Sequence, residues 1–133
     1  IDAIINLAGE PIADKRWTTN RKKELKDSRI LLTSNLIDQL KTLKIKPKIL
    51  ISGSAIGYYG DCQDNIITEY SGHNDEFSHQ LCAAWEMQAL RAKSLGIRVC
   101  VLRTGVVLSN NGGMIKKLIP TFRLGLGAKL MIW

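Results

Sequence analysis

Three short clusters carry the side chains on which chemistry could be built: Asn6-Leu7-Ala8-Gly9, Ser52-Gly53-Ser54 with Tyr58-Tyr59-Gly60, and Arg103-Thr104-Gly105. Each joins small residues, which let a flat ligand approach the backbone, to groups that hydrogen bond. Ser54 offers a hydroxyl that could orient a substrate oxygen, with Ser52 as the alternative, and against this stands a hydroxyl that only stabilises a turn. Tyr58 and Tyr59 could supply a phenol, or simply pack over a sheet edge. Glu10, Lys15, Arg16 and Trp17 form a polar and aromatic stretch beside the first cluster, where Arg16 could meet a phosphate or an acidic substrate. His73 and His79 lack partners at metal-ligand spacing, so no metal is expected and polar loop and helix-surface roles are assigned to them. Glycine alone would decide nothing, because turns use it routinely.

Each cluster follows an element that must position it. Ile1–Leu7 is short, β-branched and bounded by Ala8-Gly9, as a strand buried on both faces would be. From Thr18 to Leu43 the leucines 25, 32, 36, 40 and 43 draw one stripe on an amphipathic helix, with Thr19 or Asn20 as its cap. Pro47 ends that pattern, and Lys48–Ser52 reads as a second strand entering a glycine-rich turn, SGSAIGYYG. Residues 60–76 are polar and acidic, a loop by composition. Phe77, Leu81, Trp85, Ala89 and Ala92 then mark another helix, with Trp85 in its core, stopped at Gly96. Ile97–Leu102 is the third strand, followed by a turn at 110–113 and a helix at 114–123 that Pro120 kinks or splits. Strand, helix, strand, helix, strand implies a parallel α/β sheet whose ligands bind at the carboxyl ends of the strands, where the three clusters lie.

Composition narrows the function. At 133 residues and 45% hydrophobic, the chain suits one globular domain or part of one, and no apolar run approaches the ~20 residues that cross a bilayer. No membrane partner and a cytoplasmic location are expected. Cys62, Cys82 and Cys100 are odd in number and lack CxxC spacing, so reduced thiols are expected, with Cys82 and Cys100 as buried small hydrophobes. The net charge of +7 is concentrated: residues 14–48 hold 11 Lys/Arg against 4 Asp/Glu, while 61–86 hold 6 acids and no Lys or Arg. Those cations fall between apolar helix positions, which reads as a solvated face and not as a nucleic-acid surface.

The residues also carry a family resemblance. NLAG, ISGSAIGYYGD and LRTGVVLS resemble the fourth, fifth and sixth strand ends of extended short-chain dehydrogenases and sugar-nucleotide epimerases. GEPIADKRW at 9–17, SRI at 28–30, WE at 85–86 and PTFRLGLG at 120–127 resemble an atypical, YfcH-like branch labelled NAD-dependent epimerase/dehydratase. The resemblance implies a Rossmann-like doubly wound parallel sheet of which residues 1–133 form the C-terminal half, the N-terminal GxxGxxG unit and a C-terminal small domain being absent and Met131-Ile132-Trp133 departing from the pattern. It implies a dinucleotide cofactor, NADP(H) ahead of NAD(H), lined by Asn6, Ala8, Gly9, Ser52, Gly53, Arg103, Thr104, Gly105 and Val106. Catalysis would fall to Ser54 and Tyr59, and Glu10, Arg16 and Tyr58 would meet a small polar, nucleotide-sugar-like substrate. The Tyr and Lys that exchange the proton in active members are missing, their places taken by Ser78 and Cys82, with Glu86 pairing locally. An NAD(P)-dependent epimerase or oxidoreductase is thus the expectation, and a non-catalytic NADP(H)-binding sensor or scaffold the alternative; the oligomeric state is not implied.

Overall fold

A computed structural model describes residues 1–107 and 113–126. Residues 110–112 of the expected turn, the last residue of PTFRLGLG and Met131-Ile132-Trp133 lie outside the described residues. Strands β1 (Ala3–Asn6), β2 (Ile49–Ala55) and β3 (Arg98–Thr104) pair in parallel in the order β1-β2-β3. Parallel neighbours need long crossovers. Helices α1 (Thr19–Lys26) and α2 (Leu32–Thr42) supply the first, α3 (Phe77–Leu90) the second, and α4 (Gly113–Arg123) follows β3. The α/β Rossmann-like class is as expected. Residues 60–76 form a loop without helix or strand, and α4 runs through Pro120 instead of splitting there.

One rung of the sheet, Ile4, Leu50 and Val99, lies under the helices. Leu50 and Ile37 are fully buried, joined by Leu40, Ala89, Ala92 and Ile97. The neighbouring rung differs from the expectation of a strand buried on both faces: Ile5 is 65% exposed and Ile51 and Cys100 are half-buried, because the core formed with α2 and α3 lies on the other face.

β2 runs further than expected. Ser52-Gly53-Ser54-Ala55 continues the ladder, with Ala55 opposite Thr104, and the turn begins only at Ile56. Gly53 serves a close approach here, since a Cβ on it would stand 3.1 Å from the Trp85 ring. The α3 stripe is as expected: Leu81, Trp85, Ala89 and Ala92 are buried, and Gly96 closes the helix with φ +77°.

The long helical arm departs from its expected stripe. A π turn, Asp27–Leu31, separates α1 from α2. Leu25, Thr33, Ile37 and Leu40 are buried, whereas Leu32 and Leu43 are about two-fifths exposed at 41% and 40%. A π turn inserts one extra residue and so rotates the remainder of the helix by about 100°. The buried face of α2 therefore centres on Thr33, Ile37 and Leu40, with Leu36 half-buried at its border and Leu32 turned outward. Thr18, not Thr19 or Asn20, caps the arm, its hydroxyl accepting from the Arg21 N–H at 3.2 Å.

Candidate functional site

The ends of β2 and β3 meet α3 around one carboxylate. Glu86, buried on α3, accepts from the Ser54 hydroxyl at 2.6 Å and from Arg103 Nε and Nη2 at 2.8 Å each. Arg103 donates a further hydrogen bond from Nη1 to the Tyr59 hydroxyl at 2.8 Å, and its guanidinium lies 3.5 Å from the centre of the Tyr58 ring. Hydrogen bonding to Glu86 holds the Arg103 guanidinium well above its usual basicity, so it is a fixed cation. Thr104 donates to the Ser54 carbonyl at 3.1 Å. Four of the expected residues, Ser54, Tyr58, Tyr59 and Arg103, thus converge, and Arg103 faces Glu86 and the two tyrosines. An open cleft of about 630 Å³ borders Tyr59 and Arg103.

Charge and hydrogen count define what this cluster can do. A carboxylate has no proton to give, so Ser54 spends its only one on Glu86 and presents lone pairs alone to a ligand. Tyr59 accepts from Arg103 and keeps its own proton free to donate. One acceptor and one donor, tied through a single ion pair, stand at the carboxyl edge of the sheet.

The neighbouring turn of α3 carries Ser78 and Cys82. Ser78 packs against Gly57, where a Cβ would come within 3.2 Å of it, and the buried Cys82 thiol lies beside Ser54 and Ala55. Burial pushes the Cys82 thiol up from its ordinary value, which leaves little thiolate. Half-buried Cys62 and Cys100 are therefore expected to take up iodoacetamide at pH 8 in the intact protein, while Cys82 labels only in denaturant. Peptide mapping by mass spectrometry reads this directly; early labelling of Cys82 would contradict it.

At the end of β1 the side chains turn inward. Asn6 is buried, donating to Thr33 Oγ1 at 2.9 Å and accepting from the Ala8 N–H at 3.3 Å, so it shapes the turn that presents Gly9. Trp85 Nε1 donates to the same Thr33 oxygen at 3.0 Å. The π turn delivers Ser28 and Arg29 to the loop beyond: Ser28 Oγ accepts from the Glu10 N–H, and Arg29 Nη2 donates to the Glu10 carbonyl at 2.8 Å. Glu10's carboxylate pairs with the buried Arg21 at 3.1 Å. Arg16 is exposed, as are Gly105 and Val106, and Ser52 is fully buried. His79 and His73 stack face to face beside Tyr58. Among the described residues no group of three His, Cys, Asp or Glu could hold a metal, and no helix is long and apolar enough to cross a membrane.

A model of the NAD dependent epimerase/dehydratase family matches residues 1–133. The chain belongs to the NAD-dependent epimerase/dehydratase family. An epimerase family protein of Mycobacterium bovis is 42% identical over 130 residues, covering 98% of this chain and 42% of the relative. The chloroplastic SDR39U1 homolog of Arabidopsis thaliana is 38% identical, with 96% and 37% covered. The chain thus spans about two-fifths of the length of these relatives. Among solved structures, human epimerase family protein SDR39U1 with NADPH superimposes with a TM-score of 0.84 at 34% identity, over 96% of this chain and 44% of that one. A nucleoside-diphosphate sugar epimerase from Corynebacterium glutamicum gives 0.79 at 35%, over 97% and 26%.

For a member of the epimerase/dehydratase family, three residues here escape sequence reasoning. The sequence assigns Glu86 only local pairing, although it joins Ser54 to Arg103. Thr33 and Arg29 are not singled out by it at all. The spacing of WE and SRI marks their neighbourhoods, but the partners that bring them to the site lie 17 to 52 residues away and no local pattern names them.

Proposed function

We propose that the chain forms the catalytic edge and part of the dinucleotide site of an NAD(P)-dependent epimerase or oxidoreductase that acts on a hydroxyl or carbonyl of a small polar, nucleotide-sugar-like substrate in the cytoplasm. The observation that carries this reading is the Ser54–Glu86–Arg103–Tyr59 chain at the carboxyl ends of β2 and β3. A substrate hydroxyl finds its acceptor in Ser54, and a substrate carbonyl finds its donor in Tyr59.

The residues at the strand ends fit a dinucleotide. Gly9 and Gly105 leave backbone bare and exposed, with the nearest atom to a Cβ on Gly105 4.0 Å away. Gly9, Thr104, Gly105 and Val106 would hold the cofactor. Asn6 and Ser52 would act on it only through the backbone they shape, being buried beneath it. When bound, the nicotinamide supplies or removes a hydride. NADP(H) is placed ahead of NAD(H) because human SDR39U1, at 34% identity, was solved with NADPH.

Ser78 and Cys82 favour a second reading. With neither a phenol nor an ammonium at those positions, the protein would bind NADP(H) without turnover, as a sensor. Calorimetric titration of NADPH and NADH into the protein at its natural length tests the cofactor: micromolar NADPH binding, weaker for NADH, is expected. Binding of neither would sink both readings, and binding with no turnover over a panel of nucleotide sugars and small carbonyls would favour the sensor.

A further inference from the structure

Besides Arg103, whose charge is paired with Glu86, a second guanidinium borders the site, that of Arg29. It is half-buried, 5.4 Å from the centre of the Trp85 ring, and so close under Gly9 that a Cβ there would meet it at 2.9 Å. Its Nη1 donates to the Leu25 carbonyl and Ser28 hydroxyl, and Nη2 to the Glu10 carbonyl. These bonds fix the plane of the group. Among the described residues, Nε donates to none. Arg29 and the Cys82 thiol lie within electrostatic reach of each other, and that thiol neighbours Ser54. Position 82 is where the resemblance places the lysine of the proton-exchanging pair, and it carries no charge here.

We propose that Arg29 supplies this missing cation, donating from Nε to a hydroxyl of the ribose next to the reacting ring of the bound dinucleotide. The inference rests on the cofactor reading above. Three features make Arg29 the carrier. The π turn aims it across Gly9, whose missing side chain leaves room for the guanidinium. Trp85 closes one face of the group, so its remaining donor is directed and partly dehydrated, which strengthens the bond it makes. Cys82 is short, so the space a lysine would fill from α3 stays open to a side chain arriving from the π turn after α1. The ribose is favoured over the pyrophosphate because Arg29 lies within electrostatic reach of Cys82, whose thiol neighbours Ser54 at the reacting end of the site.

The test uses the protein at its natural length, with Arg29→Met, Arg29→Lys and the double variant Arg29→Met/Cys82→Lys. Calorimetry with NADPH is run beside adenosine 2′,5′-bisphosphate, which lacks the second ribose, and the melting temperature of each free protein is recorded. Arg29→Met is expected to weaken NADPH about 10- to 100-fold, the range of a lost charged hydrogen bond, and to leave the bisphosphate unchanged. Cys82→Lys in that background should restore a large part of the loss. If Arg29→Met does not fold, Arg29→Lys decides, with a smaller loss confined to NADPH. Unchanged NADPH affinity, or equal loss of both ligands, overturns the inference. Wild-type protein that binds neither ligand overturns the cofactor reading with it.

Discussion

Replacing Glu86 with alanine is expected to destabilise the protein by about 3–5 kcal/mol, the cost of stripping one partner from a buried ion pair. The side chain of Glu86 is 8% exposed and that of Arg103 22%, so water repays little of what is lost. The substitution leaves the guanidinium without its counter-charge and the Ser54 hydroxyl without its acceptor. Urea unfolding should show a lower midpoint at unchanged slope. Glu86→Gln keeps the shape and one acceptor and should lose less. Removing both charges, as Glu86→Leu with Arg103→Met, should recover much of the stability, because an apolar pair avoids the desolvation of two ions. Tyr59 would still lose its donor in that double variant. A full recovery of turnover with it would refute the role given to the Arg103–Tyr59 contact. A loss below about 1 kcal/mol for Glu86→Ala would mean that the pair behaves as a solvated surface pair.

Thr33→Val is expected to cost about 2–6 kcal/mol although it changes almost no volume. Thr33 is fully buried, and its hydroxyl oxygen accepts from both Asn6 Nδ2 and Trp85 Nε1. Valine leaves two donors without an acceptor, and each orphaned buried donor costs about 1–3 kcal/mol. Thr33→Ser keeps the oxygen and removes one methyl group, a loss of about 1 kcal/mol. Parallel chemical denaturation of the two variants checks the contrast. Equal losses would show that packing, and not the shared acceptor, makes this position matter. The substitution should also loosen the turn at Ala8, because Asn6 is then held from one side only.

The strands and their ends are legible in the sequence because their signals are local. Ile4-Ile5 and Val99-Cys100-Val101 are β-branched or small and are followed closely by the clusters that form the site. The stripe Leu81, Trp85, Ala89, Ala92 is likewise written at helical spacing, and Gly96 marks its end. The arm from Thr18 misleads for a physical reason. Leu25, Leu32, Leu36 and Leu40 fit an uninterrupted helix as well as any sequence could, and the pull of the Glu10 loop on Arg29 and Ser28 that accompanies the π turn is tertiary. Glu86 is underrated for the same reason, since Ser54 and Arg103 stand 32 and 17 residues from it. SGSA reads as a turn because glycine and serine commonly make one. Its extension of β2 goes with Trp85 lying across Gly53, which no count along the chain reveals.

The π turn at Asp27–Leu31 also bears on how this arm can change in length. α1 is in phase with the Gly9–Glu10 loop, and α2 is in phase with the core around Ile37. A single deletion in the segment would restore one continuous helix. It would then force a choice between keeping Arg29 on the Glu10 carbonyl and keeping Ile37 out of water. The segment works as a one-residue phase corrector between two surfaces that want different helical registers, and length changes there are compatible with both only in steps that preserve the offset.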